Sequence, residues 1–395
     1  MTDTLDRAEL APAAPDASAT GVAVPKPEYP RPDRDRSDRW MTLNGPWRFS
    51  SIDGDAEITV PFAWETAASG IARTWLEQAT YRRDVSVPVE WADARVVLCF
   101  GAVHHRAVVS IGGVVVGEHV GGTTSFEFDV TDAAPAGSTV ELRVEVEAPA
   151  DKRAIPHGKQ RSIPRDDYDG VSFTPSSGIW QSVWLEARGR TYLESVALRG
   201  DSLSSIAITG RLVGDSPAGA RVVARVVEGS DTGESIELVA EADGSVRGEL
   251  PLRHPRLWSP ADPHLYAVEF TTGDGASAAA DRVVVTTGLR SIETRGEHVL
   301  LNGERMYFRG VLDQGYWPDN RTHRADGCRA PRRSRPRTGS RLHARAQAPQ
   351  VRGAALAPSG RPHGPARVGG AAVPEPFQRR GSRRVRSAAR ADGRA

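Results

Sequence analysis

The sequence predicts an all-β protein, two β-sandwiches in series, and three observations carry that prediction. Residues 39–289 divide into short segments in which apolar and polar residues alternate, separated by Gly- and Pro-containing turns. That is the period of half-buried strands, and strands at this close spacing build sandwiches. No stretch of useful length there repeats with a helical period. Finally, Thr174-Pro175-Ser176-Ser177-Gly178 is a polar turn that passes directly into alternation. Ile179, Gln181, Val183 and Leu185 fall on one face, and Trp180, Ser182, Trp184 and Glu186 on the other. Two tryptophans on one strand face either seal the strand against a neighbouring layer or line a binding platform, and both readings stand at this point.

Residues 1–38 are rich in Ala, Pro, Asp and Arg and have no period. They are expected to be a disordered leader, or else an arm lying on the first domain. The first sandwich spans 39–190. Leu43-Asn44-Gly45 turns into a strand with Trp47 and Phe49 on one face and Arg48 and Ser50 on the other. Val60 to Glu65 is extended around Pro61, a residue suited to a strand start or an edge. Tyr81 to Val87 is a strand, and Arg95 to Phe100 is apolar enough to be central. Ala107 to Ile111 and Val114 to Gly117 make a hairpin through Gly112-Gly113. Ser125 to Val130 and Ser138 to Val146 alternate again, and Ile179 to Glu186 closes the unit.

A polar excursion over 148–173 interrupts this sandwich. It holds Lys152, Arg153, His157, Lys159, Arg161, Arg165, Asp166, Asp167, Tyr168 and Asp169. A loop of this length in a compact domain is either functional or disordered. The second sandwich, 191–289, has seven short strands in about 100 residues, which fits an immunoglobulin-like domain without its disulfide. Trp258, in Leu257-Trp258-Ser259-Pro260, reads as a plug between strands. A third piece, 290–320, begins with a hairpin of Val299 to Asn302 and Arg305 to Phe308 and continues into Arg309 to Gln314.

Composition excludes several classes. No apolar run approaches the ~18 residues of a membrane span. Met1 to Asp6 lacks the basic and apolar parts of a secretory signal, and Cys99 and Cys328 make no disulfide framework, so the cytoplasm is the expected compartment. The net charge of +1 conceals two unlike parts: 321–395 holds nineteen arginines, no lysine and three acids, a charge of +16, leaving −15 on 1–320. Such a tail would bind phosphate backbones without specificity. It has no fold motif and no aromatic beyond Phe377, so no specific nucleic-acid partner is expected. His323, Cys328, His343 and His363 lack metal-ligand spacing. Glycine-rich nucleotide loops and a Gly-x-Ser-x-Gly elbow are absent, and no cofactor is expected.

Five segments, taken in order, carry a family resemblance: Leu43 to Phe49, Val60 to Glu65, Trp75 to Arg83, Ser177 to Leu185 and Leu301 to Val311. They resemble glycoside hydrolase family 2, the β-galactosidase and β-glucuronidase group. The resemblance implies a jelly-roll sugar-binding domain, the immunoglobulin-like domain, and the first strand of a catalytic (β/α)₈ barrel at Arg309 to Gln314. It implies hydrolysis of O-glycosyl bonds of a β-linked carbohydrate by two barrel glutamates, in the double displacement of a retaining glycosidase. It also implies that a loop of the first domain reaches the sugar. Where relatives place an acid six residues before the glycine matching Gly178, this chain has Ser172, so Asp167, Tyr168 and Asp169 are the candidate sugar contacts. Asp313, at the strand end, is a further candidate hydroxyl acceptor.

The resemblance stops near Asn320. A barrel needs about 250 residues, and the remaining 75 are mainly Arg, Ala, Gly and Pro without strand or helix period. These residues have G/C-rich codons, as a shifted reading frame in a G/C-rich gene would give; a selected basic tail is the alternative. The expectation is a barrel truncated after its first strand, no catalytic residue within the chain, and a disordered tail over 321–395.

Overall fold

A computed structural model describes residues 24–165, 172–229, 232–273, 280–308, 310–313, 315–316 and 344–347. The chain enters through an arm that contains β1 (Arg34–Asp35). The first sandwich follows with β2 (Trp40–Thr42), β3 (Gly45–Ser51), β4 (Gly54–Val60), β5 (Gln78–Ser86), β6 (Arg95–Phe100) and β7 (Val103–His104). It continues with β8 (Arg106–Ile111), β9 (Val114–Val120), β10 (Phe126–Asp129), β11 (Thr139–Glu147), β12 (Gly178–Ile179) and β13 (Val183–Arg188). One sheet has the order β4-β3-β5-β11-β8-β9 and the facing sheet β10-β6-β13-β2. This is the jelly-roll sandwich expected. Gly112 and Gly113 both take positive φ, 57° and 84°, as the two-residue hairpin between β8 and β9 requires.

Alternation becomes structure because one face of each strand enters a single core. Trp47, Phe49, Trp64, Tyr81 and Phe100 lie at its centre with almost no exposure. The rings of Phe49 and Tyr81 meet edge to face at 5.1 Å. Burying each such side chain contributes about 2 kcal/mol before conformational entropy is subtracted. Among the described residues there are two short 3₁₀ turns, Ala67–Ser69 and Val89–Trp91, and no α-helix.

The expected closing strand from Ile179 to Glu186 is broken in two. β12 pairs with β7, and β13 pairs with β6 and β2. The break mirrors one in the partner, where the chain bends between β6 and β7 at Gly101. A Cβ there would lie 2.7 Å from that of Gln181. Trp180 therefore leaves the strand period, and its indole N–H donates to Gly122 O at 2.8 Å. Trp184 is buried against Trp40, Val97 and Cys99, with Tyr29 beside them. Neither tryptophan is a platform; both seal the domain from within. Trp75 precedes its strand, half-buried in a turn, and Leu76 is the buried residue there.

The second sandwich comprises β14 (Thr191–Arg199), β15 (Ser205–Gly214), β16 (Arg221–Glu228), β17 (Ser235–Val239), β18 (Ser245–Pro251), β19 (Tyr266–Thr272) and β20 (Arg282–Thr287). Its sheets are β14-β15-β18 and β1-β20-β19-β16-β17. Leu193, Ile206, Val222, Tyr266 and Phe270 are among its core residues.

Of the two expectations for 1–38, the presence of β1 in that second sheet favours the arm, which reaches the second sandwich as well as the first. Residues 1–23 lie outside the described residues, but 24–38 form an arm across both sandwiches. Arg34 and Asp35 pair with Val285 and Val284 of β20. Asn44 Nδ2 donates to the carbonyls of Pro25 and Lys26. A leader without hydrophobic period is ordered here by backbone pairing and by its arginines, which period analysis does not weigh.

The third piece has β21 (Ile292–Arg295), β22 (His298–Leu301) and β23 (Glu304–Met306) in one antiparallel sheet. Trp258 plugs its junction with the second sandwich. Its amide donates to Leu289 O at 2.7 Å, Asn302 donates to its carbonyl, and Arg290 lies over its ring at 4.5 Å. β24 (Gly310–Asp313) pairs in parallel with β25 (Ala344–Gln347). The rest of the expected disordered tail lies outside the described residues.

Candidate functional site

The polar excursion after β11 is anchored in the jelly roll by a buried cluster of polar groups. The Lys152 side chain is 1% exposed. Its ammonium donates to Pro149 O at 2.8 Å and to Nε2 of His104 at 3.3 Å. An ammonium has no acceptor capacity, so Nε2 accepts and the imidazole is neutral. The other side of the ring packs on Gly122, where a Cβ would lie 2.0 Å from Nδ1. Burial first, then the charges of Lys152, His105 and His157, pushes His104 down to about 3. Burial likewise lowers Lys152, against the pull of Glu65 and Glu77.

Glu65 is the acidic member of this cluster. It ends the extended Val60 to Glu65 segment and is buried, and its Oε2 accepts the amide of Ser177 at 2.9 Å. Burial pushes it up to about 7, although the hydrogen bonds from Ser177 and the charge of Lys152 oppose the shift. The turn opening the organising stretch is therefore pinned from below by a carboxyl that titrates near neutrality. Gly178, one residue on, has φ +79°, and a Cβ there would lie 2.1 Å from Tyr81 Oη and 2.8 Å from Trp64. Only glycine fits.

Outward from this base the excursion is knitted to itself. Gln160 Oε1 accepts the amide of Ser176 at 3.0 Å, and Gln160 bridges Phe173 in parallel. Arg161 N donates to Phe173 O at 2.9 Å, and Phe173 N to Lys159 O at 2.8 Å. The Phe173 ring then stacks on Tyr316, centroids 4.1 Å apart and planes 11° from parallel. That contact joins the jelly-roll loop to the segment just beyond β24.

The candidate residues fall around this contact. Asp167, Tyr168 and Asp169 lie outside the described residues, between Arg165 and Ser172, whose flanks are fixed as above. Asp313 closes β24, with its backbone alone described, three residues before Tyr316. Glu65 falls within a family-like motif that gives it no role of its own, Tyr316 falls in the loop after the expected barrel strand, and His104 and Gln160 carry no local sequence signal. Their signal is tertiary: none makes sense until Ser177, Lys152 and Phe173 arrive beside it. A groove of about 260 Å³ on the solvent face of β3, β4, β5 and β11 is lined by Arg48, Arg82 and Glu141. There Arg48 pairs with Glu141 and with the neighbouring Asp84, and Arg82 donates to Ser50 Oγ. Among the described residues no cluster of His, Cys, Asp or Glu is placed to hold a metal, and no helix is long and apolar enough to cross a membrane.

The model of the glycosyl hydrolases family 2 sugar binding domain matches residues 66–187, and a second model of glycosyl hydrolases family 2 matches 196–290. Together they fall on the two sandwiches in order and cover more than half of the chain. The chain belongs to glycosyl hydrolase family 2. A β-glucuronidase of Paenibacillus borealis is 24% identical over 306 residues, covering 73% of this chain and 50% of the relative. A β-galactosidase of Thermoanaerobacter pseudethanolicus is 27% identical over 239 residues, 58% of this chain and 31% of the relative. Among solved structures, Bifidobacterium dentium β-glucuronidase complexed with coumarin-3-O-glucuronide superposes with a TM-score of 0.60 at 22% identity, covering 74% of this chain and 54% of that one. The Ruminococcus gnavus β-glucuronidase bound to D-glucuronic acid gives 0.58 at 19%, covering 76% and 54%. At these identities the structures establish the fold. The family 2 chain described here spans about half the length, or less, of these curated relatives.

Proposed function

We propose that this chain is the sugar-binding portion of a retaining β-glycosidase lineage and does not itself turn over substrate. The family role is hydrolysis of an O-glycosyl bond through two carboxylates about 5 Å apart. The observation that carries the reading is the placement of both family models on the two sandwiches, with no helical layer of a (β/α)₈ barrel among the described residues. The only acids beyond residue 320 are Asp326, Glu375 and Asp392, in a composition unlike any barrel. Catalysis is assigned to none of them.

The ligand class is a β-linked glycoside, and the names of the relatives favour a glucuronide or a galactoside. The contacts proposed are Asp167, Tyr168, Asp169 and Asp313. Their support is the Phe173–Tyr316 stack, which sets the ends of the two segments carrying them side by side. Carboxylates accept from sugar hydroxyls, and such hydrogen bonds to a charged group are the stronger kind. The cytoplasm is the proposed compartment, on the scarcity of cysteine.

The purified chain is tested with chromogenic β-glucuronide, β-galactoside and β-mannoside, and by ligand-observed NMR with glucuronate and galactose. The expected result is no turnover above background and saturation transfer to one sugar that is lost in the Asp167→Ala, Asp169→Ala double variant. Turnover overturns the inactivity. Absence of transfer to either sugar overturns the binding role.

A further inference from the structure

We propose that residues 24–38 are a strap that makes the two sandwiches a single cooperative unit, with Arg36 as its joint. The strap belongs to both domains. By backbone it is an edge of the second sandwich, through β1 on β20. By side chain it is fastened to the first: Tyr29 Oη donates to Glu186 Oε1 at 2.7 Å, and Arg31 pairs with Glu127 at 3.1 Å while lying over Trp184. Arg36 stands where the two meet. It pairs with Asp281 of the second sandwich, donates to Leu193 O at 2.9 Å, and holds Nε 3.9 Å from Glu186 of the first.

The chemistry of this joint differs from the surface contacts between the domains. Arg36 and Asp281 are 3% and 2% exposed, and Glu186 is 0% exposed. Asp281 also accepts the amide of Leu193 at 3.1 Å, and Glu186 accepts Trp184 Nε1 at 2.7 Å and Arg188 Nε at 2.9 Å. Arg188 in turn reaches Glu127 at 2.6 Å. Each carboxylate is thus desolvated, and Arg36 is the cation both domains share. Unfolding either sandwich removes one of its partners and weakens the buried charge set left in the other, which costs more than losing an exposed pair. Domains within one chain ordinarily move independently unless their interface is large; here a fifteen-residue strap and a buried cation shared by both couple them.

Hydrogen exchange of the full chain across a denaturant series tests this, read at β13 for the first sandwich and β20 for the second. In the unsubstituted protein the two sets of amides are expected to merge onto one opening with one denaturant slope. Arg36→Met is expected to separate them, with β20 exchanging about a hundredfold faster or more. Asp215→Asn breaks the exposed direct bridge to Arg95 and is expected to leave them merged. Failure of β13 and β20 to merge in the unsubstituted protein overturns the proposal, and that reading needs no variant to fold. Merged isotherms in both the unsubstituted protein and Arg36→Met overturn the role of Arg36.

Discussion

The Phe173 ring lies flat on that of Tyr316, 4.1 Å between centroids, and so ties the excursion of the first domain to the end of β24. Stacked aromatic pairs contribute about 0.5–1.5 kcal/mol beyond their buried area. Tyr316→Ala is therefore expected to speed exchange of the Phe173 amide by about two- to tenfold. Core amides of β6 should be unchanged. A Phe173→Leu, Tyr316→Ala cycle read at the same amide gives the coupling; additive effects would mean that the rings are neighbours without consequence.

Gly178→Ala is expected to destabilise the first sandwich by about 2–4 kcal/mol, combining overpacking with a positive φ. The added Cβ meets Tyr81 and Trp64 in the core, so the loss should appear in global denaturant unfolding. Gly113→Ala provides the contrast. It also has a positive φ but nothing within 4 Å, so only the strain of about 1 kcal/mol should remain.

Glu65 is held at about 7 against its usual 4.5, so the fold prefers its protonated form. Its stabilising contribution is complete below pH 4.5 and is lost as the pH rises through 7. Glu65→Gln keeps an acceptor for the Ser177 amide and removes that loss. It is expected to be more stable than the unsubstituted chain at pH 8, by on the order of 2 kcal/mol, with no gain at pH 4.5. Thermal unfolding at the two pH values decides it.

His104 runs in the opposite direction. It sits at about 3 against the usual 6.5, so its contribution is complete above pH 6.5 and is lost as the pH falls towards 3. By pH 5 the loss is about 2 kcal/mol. His104→Gln, which can still accept from Lys152, should flatten the acid side of the stability profile. A profile unchanged between pH 6.5 and 5 would show that His104 is not the group responsible.

Acid should also loosen the network beneath the arm. Burial pushes Glu186 up, but Arg188, Arg36 and Arg31 outweigh it and bring the carboxyl to about 2. Its share of stability is present above pH 4.5 and is lost as the pH falls through 2. Fluorescence of Trp184, whose Nε1 donates to this carboxylate, is expected to change over that window and to be insensitive to pH between 6 and 8.

Much of the architecture was legible as period. Arg95 to Phe100 could be read as a central strand because every residue from Val96 to Phe100 is buried. The hairpin at Gly112-Gly113 could be read because its turn admits little else. Period failed where an element depends on a partner distant in sequence. Ile179 to Glu186 alternates without fault, yet it breaks because β6 bends at Gly101. Arg34-Asp35 has no period and is nonetheless a strand, since β20 offers it an edge. The site was legible only as a long polar loop. Its anchors, Glu65 to Ser177 and Lys152 to His104, are single contacts between segments up to 112 residues apart, and nothing local marks them.

The pairing of β1 with β20 has a consequence for synthesis. A ribosome delivers Arg34 and Asp35 about 250 residues before Val284 and Val285. At roughly 5–20 residues per second, that is a wait of roughly 10–50 s. Throughout it, the nascent arm carries Arg36 without Asp281, its partner in the second sandwich. The second sandwich is not an uninterrupted stretch of gene, and a cassette cut at residue 191 would leave its outermost strand behind.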